Sequence, residues 1–212
     1  MNIGTKTVLF GVHQFLIHPW FVAEGWRRLY GFPFDPRLWI AFFLHDLGYF
    51  GKPNLDGLEG EQHPEFAAKI MGFLFGERWA DFCRYHSRFL AKKNGRHVSR
   101  LCVADKMAIA LQPGWMYLPM ARATGELHEY MSGEMKRNPN FDRTPEQWFL
   151  ALQKYIKEWA IEHKDCKEDT WTGTSRDLAR NNGVKRCTCE PYLPECNICK
   201  KLQELNQRGD SE

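Results

Sequence analysis

The sequence has no apolar run approaching the roughly 18 residues that span a bilayer, so no membrane-spanning segment is expected. Its start shows only a short apolar patch, Val8 to Val12, without the charged, apolar and small-residue regions of a signal peptide. An excess of one charge is also missing. Lys and Arg number 29 against 26 Asp and Glu, and a net charge of +3 is too small to imply nucleic acid by itself. No stretch sustains the alternation of a β-strand, and no internal repeat occurs. Disulfides are disfavoured as well: seven cysteines in a chain of this character read as free thiols or metal ligands. These absences point to the cytoplasm.

What is present is a core. Hydrophobic residues make up 43% and aromatic residues 14% of 212 positions, including eight Trp and fifteen Phe, which excludes a disordered chain. The length fits one domain, residues 1–165, with a polar appendage over residues 166–212. The period is helical throughout, so the expected fold class is all-α. Thr7 to Tyr30 reads as one or two helices broken near Pro19, and Leu38 to Leu47 as a greasy helix with Gly48 as its cap. Further helices are expected over His63 to Gly72, Glu77 to Leu90 and Val98 to Leu111. A last helix reaches Lys164, opened by the capping box Thr144-Pro145-Glu146-Gln147.

The stretch Ala41-Phe42-Phe43-Leu44-His45-Asp46-Leu47-Gly48 organises the chain. A histidine and a carboxylate at the end of so apolar a helix are costly unless paired or bound to metal. Other candidate ligands occur in order: His18, His45, Asp46, His63, His86 and Asp105, each set among apolar residues that turn it inward. Imidazoles and carboxylates suit Mn, Fe, Co, Ni, Mg or Zn, and six ligands exceed the needs of one ion. His13 competes with His18, but Val22 and Trp26 put His18 on the core stripe and leave His13 the spare. His97, His128 and His163 sit among polar residues, as surface histidines do. Cys83 and Cys102 lie on helix stripes and read as packing.

The ordered set His18, His45-Asp46, Asp105, with the segment Val103-Ala104-Asp105-Lys106, resembles the signature of the HD-domain metal-dependent phosphohydrolases over roughly residues 10 to 112. His63 and His86 match the two extra histidines of the binuclear branch. The resemblance implies an all-α HD-domain bundle, here with an added C-terminal helix and a Cys-rich tail. It implies two divalent metals, one held by His18, His45, Asp46 and Asp105, the other by His63 and His86, with Asp46 bridging. A metal-activated water would then cleave a phosphoester or phosphoanhydride of a nucleotide or another small phosphorylated metabolite. His45 and Asp46 are the expected catalytic pair. Many relatives carry lysine where this chain has Tyr49, and Lys52 is the candidate replacement.

Arg88, Lys92 and Lys106 complete the expected substrate contacts. The cluster Gly114-Trp115-Met116-Tyr117-Leu118-Pro119 reads as core rather than a base-stacking platform. Cys187, Cys189, Cys196 and Cys199 have the four thiolates of a structural zinc site. Two other functions remain open on the residues alone: a di-iron oxygenase on the same fold, and a metal-stabilised binding or regulatory module.

Overall fold

Helix starts are written locally along the chain. Asp35 accepts a hydrogen bond from the backbone N–H of Arg37 at 2.9 Å, and Pro36 fills the first helical position. Ser87 accepts from Leu90 N–H in the same way, and Thr144 with Gln147 closes a full capping box. In the computed structural model, which describes residues 1–137 and 141–164, these starts belong to ten α-helices, with no strand among the described residues. They are α1 (Ile3–Phe10), α2 (His18–Tyr30), α3 (Pro36–Leu44), α4 (Pro64–Phe75) and α5 (Glu77–Arg84). There follow α6 (Arg88–Lys93), α7 (Arg100–Leu111), α8 (Gly114–Thr124), α9 (Glu126–Arg137) and α10 (Pro145–His163). The all-α expectation holds. The expected cysteine cluster at 187–199, and the appendage that carries it, lie outside the described residues. No described helix is long and apolar enough to cross a membrane.

Helices α2 and α7 form the axis of the molecule. Val22, Ala23 and Trp26 pack with Leu101, Ala104 and Ala108, and α3, α4 and α5 close this core with Phe42, Met71, Trp79 and Phe82. The two backbones approach so closely at Gly25 that a Cβ there would lie 2.5 Å from the carbonyl oxygen of Ala104. Helix α10 docks on the far side of α7, through Trp159 and Ala160 against Cys102, Val103 and Met107. Both Cys83 and Cys102 are fully buried packing residues, as expected.

Several boundaries differ from those read in the sequence. The first break falls at Gly11, not at Pro19, which sits in the first turn of α2 where its missing N–H costs nothing. Helix α3 stops at Leu44, so His45 is its cap and Asp46 lies outside it. The expected helix over residues 77–90 is two helices, with His86 in the break between them. Helices α8 and α9 were not anticipated. Within α8, Tyr117 and Leu118 are core residues but Trp115 is 79% exposed.

A buried carboxylate ties α9 to the chain's start. Glu126 has no exposed surface, accepts a hydrogen bond from Val12 N–H at 3.2 Å and from the Thr124 hydroxyl at 2.5 Å, and lies 3.4 Å from His13. Burial pushes its carboxyl up, but His13 and the hydroxyls outweigh that and hold it below the usual range. Replacing Glu126 with alanine strands these partners, which typically costs about 3–5 kcal/mol for a buried pair. A fall in melting temperature of roughly 10 °C is expected in a calorimetric scan. A fall of a degree or two would show that the network is idle.

Candidate metal centre

Four ligands sit at helix ends, where the chain turns inward. His18 is the first residue of α2, His45 caps α3, His63 precedes α4, and His86 occupies the break between α5 and α6. Asp105 lies mid-way along α7, and the close α2–α7 contact sets it opposite His18. All six are at least nine-tenths buried.

His45, His63 and His86 share one local geometry. Each follows a turn of helix and donates its Nδ1–H to the carbonyl three residues earlier: Phe42 at 2.8 Å, Gly60 at 2.7 Å and Cys83 at 2.5 Å. A carbonyl only accepts, so Nδ1 carries a proton, and in the neutral ring Nε2 presents a lone pair. The lone pairs of His63 and His86 face each other at 2.9 Å, an arrangement that repels unless a cation lies against both. His45 Nε2 and Asp46 Oδ2 are buried without a hydrogen-bond partner, although they lie 3.1 Å apart. Such close approach is how two ligands of one ion stand.

Asp46 divides its oxygens between two groups. Its Oδ2 lies 3.3 Å from His18 Nε2 and 3.1 Å from His45 Nε2, while Asp105 Oδ1 stands 3.0 and 3.7 Å from the same nitrogens. Its Oδ1 lies 3.5 Å from both His63 Nε2 and His86 Nε2. Ligands about 2.1 Å from one ion stand about 3.0 to 3.5 Å from each other. The residues therefore fit two metals, in the groups His18, His45, Asp46, Asp105 and Asp46, His63, His86.

The protonation states agree with this division. Burial holds His18 below the usual imidazole range, and burial with His86 nearby holds His63 well below it. For His45 burial also pulls down, but Asp46 and Asp105 together raise it to about 10. Asp46 and Asp105 are pushed up by burial and held well down by their charged neighbours, His45 foremost for Asp46 and Lys106 foremost for Asp105. In the metal-free chain a proton on His45 takes the place of the cation.

The remaining expected residues divide. Arg88, Lys92 and Lys106 line a cavity of about 410 Å³ that opens directly over Asp46, His63, His86 and Asp105. Lys52 does not: it lines a separate surface recess with Phe50, Glu65 and Lys69, so it does not replace the lysine of the resemblance. Tyr49 takes that place differently, stacked on the His63 ring at 3.7 Å. His13, read as the spare histidine, also lines the cavity, with its Nδ1 2.8 Å from the Thr7 hydroxyl. Nothing in the sequence near His13 marks this, because its partner Glu126 is 113 positions away. His128 is exposed as expected, whereas His97 and His163 are half-buried, the latter stacked on Trp159.

Gly48 was expected to cap the helix, but its role is contact. A Cβ at Gly48 would lie 1.9 Å from the His63 carbonyl oxygen, which is backbone and cannot step aside. Gly48→Ala is therefore expected to displace His63 and to weaken metal retention by about 10- to 100-fold. Equilibrium dialysis against a metal buffer checks this, and unchanged retention would show that the contact is slack.

Fold and site together define an all-helical structure over the described residues, with two buried histidine–carboxylate groups that could each hold a metal ion. No family model matches the chain, and no solved structure matches it. It is similar to DNA-directed RNA polymerase III subunit RPC7 of Homo sapiens, 30% identical over 120 residues, which is 48% of this chain and 53% of the human protein. The chain thus spans about half the length of this curated relative. The finding overturns two expectations drawn from the sequence: a phosphohydrolase, and a small phosphorylated substrate as its partner. The relative is a subunit of a polymerase assembly, not a hydrolase by name. The cavity sets Asp46, Asp56, Glu61 and Asp105 against Arg88, Lys92 and Lys106, with Lys106 3.6 Å from Asp105.

Proposed function

We propose that the six residues hold a pair of divalent ions with Asp46 between them, and that the chain is a metal-bearing helical module of HD type working within a protein assembly. The observation that carries the metal reading is the split of Asp46, with Oδ2 toward His18 and His45 and Oδ1 toward His63 and His86. Imidazole and carboxylate ligands suit Mn, Fe, Co, Ni, Mg or Zn. When bound, such ions supply Lewis acidity and a concentrated positive charge. The chain's residues hold the tautomers of three histidines, exclude water from the ligand side, and stack Tyr49 against His63. Similarity to a polymerase subunit supports the assembly, and supports a working place beside machinery that handles nucleic acid. Elemental analysis of the purified chain tests the centre. Close to two metals per chain are expected, and fewer than one after loading with each candidate metal would overturn it.

A metal-dependent enzyme is the second reading, favoured by one observation. Structural metal sites are closed, whereas sites that do chemistry keep an open position. Here the second group has three protein ligands and forms part of the wall of an open cavity. In the cobalt-loaded chain, azide is expected to change the visible absorption spectrum. An unchanged spectrum would mark the site as closed.

A further inference from the structure

A second cavity, of about 290 Å³, adjoins the polar one and shares His13, Tyr49, Asp56, Arg88 and Lys106 with it. Its other walls are largely aromatic: Tyr117, Tyr130, Trp148, Tyr155 and Trp159, brought by α8, α9 and α10. An apolar cavity of about 150 Å³ accepts benzene, so this one has room for a body of one or two rings. Helices α8 to α10 lie beyond the segment that resembles the HD domain, so these aromatic walls come from outside it.

Two of its lining residues carry an N–H with no acceptor among the described residues, Nη2 of Arg88 and Nε1 of Trp159, and both atoms are shielded from solvent. The Arg88 guanidinium lies 5.5 Å over the Trp159 ring. A guanidinium stacked in this way keeps its in-plane N–H groups for a planar, bidentate acceptor. Buried donors without acceptors are costly, and a ligand oxygen relieves the cost. Charge sets the ligand's valence. The lining sets Arg88 and Lys106 against Asp56 and Glu134, an even balance in which each negative charge added by a ligand meets more repulsion, so a monoanion fits better than a dianion.

We propose that this box binds an aromatic monocarboxylate, its ring among Tyr117, Trp148 and Trp159 and its carboxylate on Arg88, at the border with the metal compartment. The box and its donors are complete without the ions, so the inference does not depend on the metal reading. The same chemistry is offered by a free aromatic acid and by a partner chain that ends in an aromatic residue.

Isothermal titration of the whole 212-residue chain, with metal content measured on the same sample, tests it. The probes are 2-naphthoate, 2-naphthamide and 2-naphthyl phosphate, and a Gly-Gly-Phe peptide with a free or an amidated C-terminus. A carboxylate is expected to bind roughly ten-fold tighter than its amide or phosphate counterpart, and Arg88→Gln to erase that margin while leaving the amide unchanged. Leu152→Trp, which fills the box from α10, is expected to weaken acid and amide alike by roughly ten-fold. Binding of naphthoate alone assigns a free acid, and binding of the free-ended peptide assigns a partner's C-terminus; either sustains the proposal. It is overturned if neither carboxylate binds at millimolar concentration, if the phosphate binds tighter, or if Arg88→Gln changes nothing. A metal-loaded sample that binds no carboxylate sinks this inference alone, and carboxylate binding to a chain that takes no metal sinks the metal reading alone.

Discussion

Replacing Asp46 with alanine is expected to empty both metal positions at once, whereas His63→Ala empties only one. The difference follows from the shared carboxylate. Asp46 gives one oxygen to the group of His18 and His45 and the other to the group of His63 and His86. Without it the first group keeps three ligands but loses the anion beside His45, and the second is reduced to two imidazoles. A single outer-shell change at a metal site typically costs 10- to 100-fold in affinity, and loss of a bridging ligand is expected to exceed about 100-fold at each position. Elemental analysis after dialysis against a weak metal buffer should give close to two, one and zero ions per chain for the parent, His63→Ala and Asp46→Ala. Circular dichroism confirms that each variant is folded. Two ions in the Asp46→Ala chain would refute the bridge.

Removal of the metals is the second large effect. A ligand present at about a thousand times its dissociation constant stabilises the folded state by about 4 kcal/mol, which for a domain of this size is roughly 10 °C in melting temperature. Chelation is expected to produce a fall of that order, restored by adding the metal back. The effect carries a pH signature. In the metal-free chain His45 is raised to about 10 and so carries a proton at neutral pH, while His18 and His63 are lowered and Asp46 and Asp105 are ionised. Metal must expel the His45 proton. Affinity is therefore expected to climb about ten-fold per pH unit below 10 and to level off above it. The sign is opposite for the metal-free chain, whose share of stability from His45 is full below 6.5 and is lost as pH rises through 10. Titration calorimetry in two buffers of different ionisation heat should show about one proton released from His45 per chain at neutral pH. Release of none would remove His45 from the ligand set.

The six ligands were legible because metal sites need residue types that an apolar context makes conspicuous. His45-Asp46 after Phe42-Phe43-Leu44 is such a case, and the structure brings all six together. The helical class was legible too, from period and from the caps at Asp35 and Thr144. Long-range partners were not. Nothing local to His13 announces Glu126, and nothing in a Gly-Asp loop announces that Gly48 is there to let the His63 carbonyl pass. The break at His86 was missed because Glu77 to Leu90 keeps an unbroken apolar period, while the chain reverses through Tyr85–Ser87 to point the imidazole inward. The activity drawn from the family resemblance failed for a different reason. The ligand set could hold metal, but that alone does not fix the chemistry done there, and the similarity to a polymerase subunit is what overturns the activity.

The contact between His18 and Asp105 joins residues 87 positions apart, and His63 meets His86 across a further 23. Bound ions at such points act on the chain as cross-links do, closing long loops that the unfolded polymer would otherwise leave open. Metal uptake then adds to the stability of the fold, and newly made chain opens more readily until metal arrives. The turn between α1 and α2, residues 11–17, ends one position before His18 and includes the exposed side chains of Phe15, Leu16 and Ile17. Protease cutting there should be slow in the loaded chain and fast in the empty one. A cell could in this way clear copies that never received their metals.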